Sequence, residues 1–329
     1  MLRKLVLVII SVVVICGPGV YAVFQISPWP SVLFIRHSFD KDSAEAAASI
    51  TALVPKDVSA QRGLIYASGD RDALFDVFAP ANVQASLPAI VWVHGGGFVA
   101  GSRSDLSGYL QILAARGFVT VAIDYSLSPK ARFPTPVRQT NAALAYIIAN
   151  AKRFNIDAQR IFLAGDSARA QIAAQTALLI SDANYAQRLG IHPGMARASL
   201  RGVVLFCGLY DPTTMNFEGP FANFLRTVLW SYLGTRNPRD ARVGQISVTA
   251  HVTANYPPIF ISVGNADLLA PQSVAFAEAL RAKGVEVDAL FFPHDHDPPL
   301  GHEYQRLLST DAGRLASDRA VAFLTARAK

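Results

Sequence analysis

Arg160-Ile-Phe-Leu-Ala-Gly-Asp-Ser-Ala-Arg169 runs as an apolar strand straight into Ala168–Ile180, a stretch of helical period. Such a strand–turn–helix holds the Ser167 hydroxyl clear of the backbone, where a neighbouring base can activate it as a nucleophile. The helix that follows places a positive dipole end and free N–H groups beneath the same point. Taken alone, a serine after a strand is more often a helix N-cap, so the reading depends on what surrounds it.

Other strand-like runs lie on both sides. They are Gly63–Ala67, Leu74–Phe78, Ala89–Val93, Phe118–Asp124, Gly202–Cys207, Pro258–Val263 and Val285–Phe292, which with Arg160–Ala164 make eight. From the third onward they alternate with helical stretches at about Asp105–Arg116, Pro136–Arg153, Ala168–Ile180, Pro271–Lys283 and Asp311–Arg327. Two strands close in sequence, followed by β-α alternation, predict an α/β fold with an eight-stranded, mostly parallel sheet covered by helices on both faces. Asp42 with Glu45 three residues on predicts a capped helix running to about Val54. The segment 211–256 breaks the rhythm and carries Phe217, Phe221, Phe224, Trp230 and Tyr232. It reads as a cap over the carboxyl ends of the strands, its aromatics either lining an acyl pocket or forming the cap's own core.

The companions of Ser167 stand at strand ends. Val91-Trp-Val-His-Gly-Gly-Gly-Phe98 follows a strand, and three successive glycines let backbone N–H groups turn toward one point, where a developing oxyanion can be bound. Gly95–Gly97 lacks the spacing and context of a nucleotide loop. Downstream, Asp267 follows Ile259-Phe-Ile-Ser-Val263, while Asp211, after an earlier strand, is the rival acid. The last strand leads into Pro293-His-Asp-His-Asp-Pro-Pro-Leu-Gly-His302, which offers His294, His296 and His302 as bases. His294-Asp-His-Asp297 also has the ligand types of a metal site, though such residues in a polar loop more often bind water and backbone. The order Ser…Asp…His suits an α/β-hydrolase arrangement.

With HGGG, GDSA and Asp124-Tyr-Ser-Leu-Ser-Pro129 in place, residues 60–327 resemble the hormone-sensitive-lipase-like bacterial carboxylesterases of the α/β-hydrolase superfamily. The resemblance implies Ser167 as nucleophile, Asp267 as triad acid and His302 as base. It implies Gly96, Gly97 and Ala168 as oxyanion-hole donors, with His94 steadying the loop and Asp166 supporting the turn. It implies no cofactor and no metal. The chain departs from the pattern at Arg169, where the family has Gly; a long charged side chain at a crowded turn argues for impaired activity unless it pairs with a carboxylate such as Asp166 or Glu303. The expected activity is hydrolysis of short-to-medium acyl esters through an acyl-enzyme on Ser167. A non-catalytic binding protein and a serine peptidase of the same fold are the alternatives.

Composition sets the outer bounds. Apolar residues are 51% of 329 and charged residues 16%, which excludes a disordered chain. The net charge of +6 is spread without a basic run, so no nucleic-acid partner is expected. Two cysteines, Cys16 and Cys207, build neither a disulfide framework nor a zinc site, so a metal would need His and carboxylate ligands. Leu5–Ile26 holds no charge and follows Arg3-Lys4, which predicts a transmembrane helix with a cytoplasmic N-terminus and an extracytoplasmic catalytic domain. Gly17-Pro18-Gly19 leaves a signal peptide cleaved near Ala22 as the alternative. The expected organisation is a membrane segment at 1–26, N-terminal cap and linker helices at 27–60 and a catalytic domain at 61–329.

Overall fold

The computed structural model describes residue 19 and residues 21–329 except residue 220. Its strands are β1 (Val58–Ile65), β2 (Leu74–Pro80), β3 (Leu87–Val93), β4 (Val119–Ile123), β5 (Ile156–Asp166), β6 (Leu200–Phe206), β7 (Ile259–Val263) and β8 (Val287–Phe291). They form one sheet in the order β1-β2-β4-β3-β5-β6-β7-β8. The β1–β2 and β2–β4 pairs are antiparallel and all the others are parallel. The helices are α1 (Trp29–Ile50), α2 (Ser107–Ala114), α3 (Thr135–Ala149), α4 (Ala168–Ser181), α5 (Ala183–Leu189), α6 (Ala222–Leu233), α7 (Ala241–Gln245), α8 (Ala270–Ala282) and α9 (Asp311–Arg327). This is the α/β-hydrolase fold.

Side chains alternate across a strand, and β3 shows what that builds. Ala89, Val91 and Val93 enter one buried cluster together with residues of α3, α4 and α8. Ile90 and Trp92 enter a second with residues of α2 and α9. The sheet is therefore sandwiched, and its central strands are apolar throughout because both faces are covered. All fourteen residues of α4 are buried, so this helix shows no polar face.

Two expectations are corrected at the N-terminal side. α1 begins at Trp29, with Pro30 in its first turn, so Asp42 falls within the helix and not at its start. Inward-facing Val32, Ile35 and Phe39 hold its first half, which the alanine-rich second half had concealed. β1 begins at Val58, not Gly63, and most of its side chains are exposed. An edge strand with two wet faces carries no apolar alternation to read. The expected span Leu5–Ile26 falls mostly on residues 1–18 and 20, outside the described residues. Among the described residues no helix is long and apolar enough to cross a membrane.

Register brings the strand ends together. Val93 pairs with Gly165, Asp166 with Phe206, and Phe206 with Ser262. The loops after β3, β5, β6 and β7 therefore open side by side. Above them α1 and α6 meet in a small cluster of Val32, Ile35, Val99, Ala100 and Val228, with Phe39 stacked on Phe224. Arg36 of α1 reaches down to donate to the carbonyls of Val99 (2.7 Å) and Ser128 (3.2 Å).

Candidate active site

The turn after β5 is strained by design of the chain. Ser167 sits at φ 58° and ψ −140°, a conformation that side chains other than Gly rarely adopt. Its N–H donates to Phe206 O at 2.9 Å, which pins the turn to β6. Ser167 Oγ thereby stands 2.8 Å from His302 Nε2, and His302 Nδ1 stands 2.7 Å from Asp267 Oδ2. Three loops thus supply one relay. Burial opposes a charge on His302, but Cys207 and Asp267 outweigh it, and the ring holds its proton well above the usual imidazole range. Rising pH therefore favours the neutral ring that can accept a proton from Ser167.

The rival residues lie elsewhere. Asp211 caps its own turn, accepting from the Thr213 backbone and hydroxyl. His294 and His296 are held through their carbonyls by Asn265, and the His296 ring lies against Phe292. His294-Asp-His-Asp297 does not converge into a ligand set. Among the described residues, the only three such side chains with ligand atoms all within 4.8 Å of one another are Cys207, Asp267 and His302.

The glycine loop curls over the relay. Gly96 has φ +126°, and a Cβ there would lie 2.5 Å from Ala100 O, so the loop's path requires glycine. A Cβ on Gly95 would come within 2.3 Å of Asp166 Oδ2. Among the described residues, the N–H groups of Gly96, Gly97 and Ala168 have no protein acceptor. His94 is buried, stacks on Tyr125 with centroids 5.0 Å apart, and places Nδ1 3.2 Å from Gly95 O. Burial and the nearby Arg169 push its pKa well down, so it is neutral. Phe224 and Val228 of α6 roof Gly97, whereas Tyr232 stacks face to face on Phe98 at 4.0 Å. The cap aromatics therefore divide between ceiling and core.

Arg169 is fully buried. It donates to Ala100 O through Nη2, lies 5.3 Å from the Tyr125 ring centroid, and leaves Nε and Nη1 without partners. Among the described residues no carboxylate pairs with it. Burial pulls its pKa down to about 9, with Asp105, Glu303 and Asp124 acting only at a distance. The carboxylates suggested as its partners go to Arg306 instead, which lies 2.8 Å from Glu303 and 3.7 Å from Asp166. Burial, then the Glu303 charge, pushes Asp166 up to about 7. Glu303 is held below its usual range because Arg306 and His302 outweigh its own burial. Trp92 Nε1 completes the cluster, donating to Asp166 Oδ1 at 2.7 Å. Arg306, Cys207 and Arg36 were not singled out as site residues from sequence. Arg306 reaches Asp166, Cys207 lies beside His302 and Arg36 reaches Val99, each far along the chain, and no local motif marks such a contact.

Comparison with known proteins places this geometry. The family model BD-FAE matches residues 75–280. The chain is 33% identical over 230 residues to "Esterase LipC" of Mycobacterium tuberculosis, covering 68% of this chain and 55% of that one. It is 29% identical over 216 residues to "Acetyl esterase" of Salmonella choleraesuis, covering 63% and 64%. The chain thus spans between half and two thirds of the length of these curated relatives. Among solved structures, an inhibited esterase B from Lactobacillus rhamnosis superposes with a TM-score of 0.78 at 21% identity, covering 90% of this chain and 97% of that one. At that identity the likeness concerns the fold.

Proposed function

The chain belongs to the BD-FAE family of α/β-hydrolases, and we propose on that footing that it is a serine carboxylesterase acting on short-to-medium acyl esters. The observation that carries this reading is the unbroken Ser167–His302–Asp267 relay beneath a glycine loop. Ser167 Oγ attacks the acyl carbonyl as His302 Nε2 takes its proton, while Asp267 holds the ring and stabilises the imidazolium. The N–H groups of Gly96, Gly97 and Ala168 receive the oxyanion. His302 returns the proton to the leaving alcohol, then takes one from the water that releases the acid. The Phe224 and Val228 ceiling over Gly97 favours small acyl groups, in keeping with relatives named esterase and acetyl esterase. The complete relay favours catalysis over a binding role.

The test is hydrolysis of p-nitrophenyl acetate, butyrate, octanoate and palmitate by the full chain. Turnover is expected on the shorter esters and none on palmitate. Failure to cleave any of them overturns the reading. The uncharged run Leu5–Ile26 behind Arg3-Lys4 supports a membrane anchor with the catalytic domain on the extracytoplasmic side. Under that placement the full chain sediments with membranes and withstands a carbonate wash. Recovery in the soluble fraction with an N-terminus after Ala22 indicates cleavage instead.

A further inference from the structure

We propose that Cys207, Asp267 and His302 form a site for a soft divalent cation, and that Zn2+ bound there switches the triad off. Cys207 follows β6 directly, and its positive φ of 42° turns it out of the strand path. The residue before it accepts from Ser167 N, and its own N–H donates to Ser262 O of β7 at 2.9 Å. The thiol is therefore set between the serine turn and the strand that presents Asp267. It is buried and makes no disulfide. In the ester hydrolysis derived above it acts only as a neighbour of His302 and touches no reacting atom.

Ligand geometry makes the thiol more than a filler. One sulfur, one imidazole nitrogen and one carboxylate oxygen lie within 4.8 Å of one another. Tetrahedral zinc bonds of about 2.3 Å to sulfur and about 2.0–2.2 Å to nitrogen and oxygen set ligand pairs roughly 3.4–3.6 Å apart. Admitting the ion means opening the His302 Nδ1–Asp267 Oδ2 pair, now 2.7 Å apart, by about 0.7 Å and bringing the sulfur within about 3.6 Å of both, a rearrangement of about an ångström. The His302 side chain, 41% exposed, is free to supply it by a ring movement, and it also gives the ion its way in. Binding replaces the thiol proton with the metal and releases that proton. Asp267 Oδ2 faces His302 Nδ1, so the ion takes the Nδ1 lone pair and the ring is left with its one proton on Nε2; the nitrogen that accepts from Ser167 is then no longer a base for acylation. Thiolate with imidazole selects Zn2+ over Mg2+ or Ca2+.

Only the inhibitory consequence rests on the esterase reading, so the test has two arms. In the first, hydrolysis of p-nitrophenyl butyrate by the full chain is followed against ZnCl2, with MgCl2 as control and EDTA added back. The expected result is at least a tenfold loss of kcat/KM that EDTA restores. Cys207→Ala and Cys207→Ser, each normalised to its own zinc-free rate, should raise the half-inhibiting concentration by about tenfold or more. In the second arm, Co2+ is added to Ser167→Ala, which needs no turnover. A thiolate-to-cobalt charge-transfer band is expected, and it should vanish in Ser167→Ala/Cys207→Ala. Undiminished zinc inhibition in both Cys207 variants, or absence of the cobalt band, overturns the proposal. The band present without zinc inhibition would keep the metal site and overturn the switch.

Discussion

Two groups of ionisable side chains meet at Ser167, and they are built on opposite rules. On one side His302 and Asp267 make short, direct hydrogen bonds, one to each ring nitrogen. On the other, Arg169 is buried with two unpartnered nitrogens, while Asp166, Glu303 and Arg306 share charge beneath the glycine loop. The first group is organised for one proton transfer. The second holds a loop in place at the expense of desolvating a guanidinium, a cost that direct pairing would have offset. Reactive geometry and its support therefore make separate demands, and substitutions on the two sides should differ in size and in sign.

The largest effect tests the reactive side. Ser167→Ala should lower kcat by several orders of magnitude, because the relay acts as a unit. Its thermal unfolding should stay close to that of the parent, and persisting turnover would remove Ser167 from the mechanism. Next comes the loop. Gly96→Ala places a Cβ 2.5 Å from Ala100 O and 2.7 Å from Arg169 Nη1. A displaced oxyanion donor should cost about 10²–10³ in kcat, with KM little changed. Steady-state kinetics on p-nitrophenyl butyrate decide both.

Arg169→Gly should move the other way. Removing a buried, unpaired guanidinium relieves the turn that carries Ala168 N–H, and kcat/KM should rise by about tenfold with a higher melting temperature. Equal or lower activity would mean that the bond to Ala100 O matters more than the desolvated charge. The smallest effect separates the acids. The folded pKa of Asp166 lies above its unfolded value, so its contribution to stability is full at low pH and is lost as pH rises toward about 7. Asp166→Asn keeps the acceptor for Trp92 and removes that loss. The variant's stability relative to the parent should grow by a few °C in melting temperature between pH 5 and pH 8, on the scale typical of domains this size. Glu303 is coupled to Asp166 and responds to the substitution, but Arg306 and His302 hold its carboxyl below the usual range, so it stays ionised across pH 5–8 and adds little to the change over that window. A gap that does not widen with pH would show that Asp166 is already ionised.

The two groups also differ in how far sequence exposes them. Ser167, Asp267 and His302 each follow an apolar strand, so local pattern and chain order suffice to find them. The sheet was legible for the same reason, since central strands buried on both faces read as continuous apolar runs. β1 and the start of α1 were not, because one is an exposed edge and the other hides its buried stripe behind a capping signal at Asp42. Arg169 was visible as a departure, but its environment was not. Whether it meets a carboxylate depends on Arg306, 137 positions away, having already taken the two that were available. Cys207 becomes a neighbour of His302 only through the register of β5, β6 and β7.

Arg36 sets a limit on how the polypeptide can be trimmed. Its bonds to Val99 and Ser128 tie a residue near the front of the chain to the roof of the reaction centre. A cut at Ser27 leaves that fastening whole, whereas one after Phe39 releases the glycine loop from above. Removal of the first helix therefore strips both bonds from the roof while leaving every strand of the sheet in place.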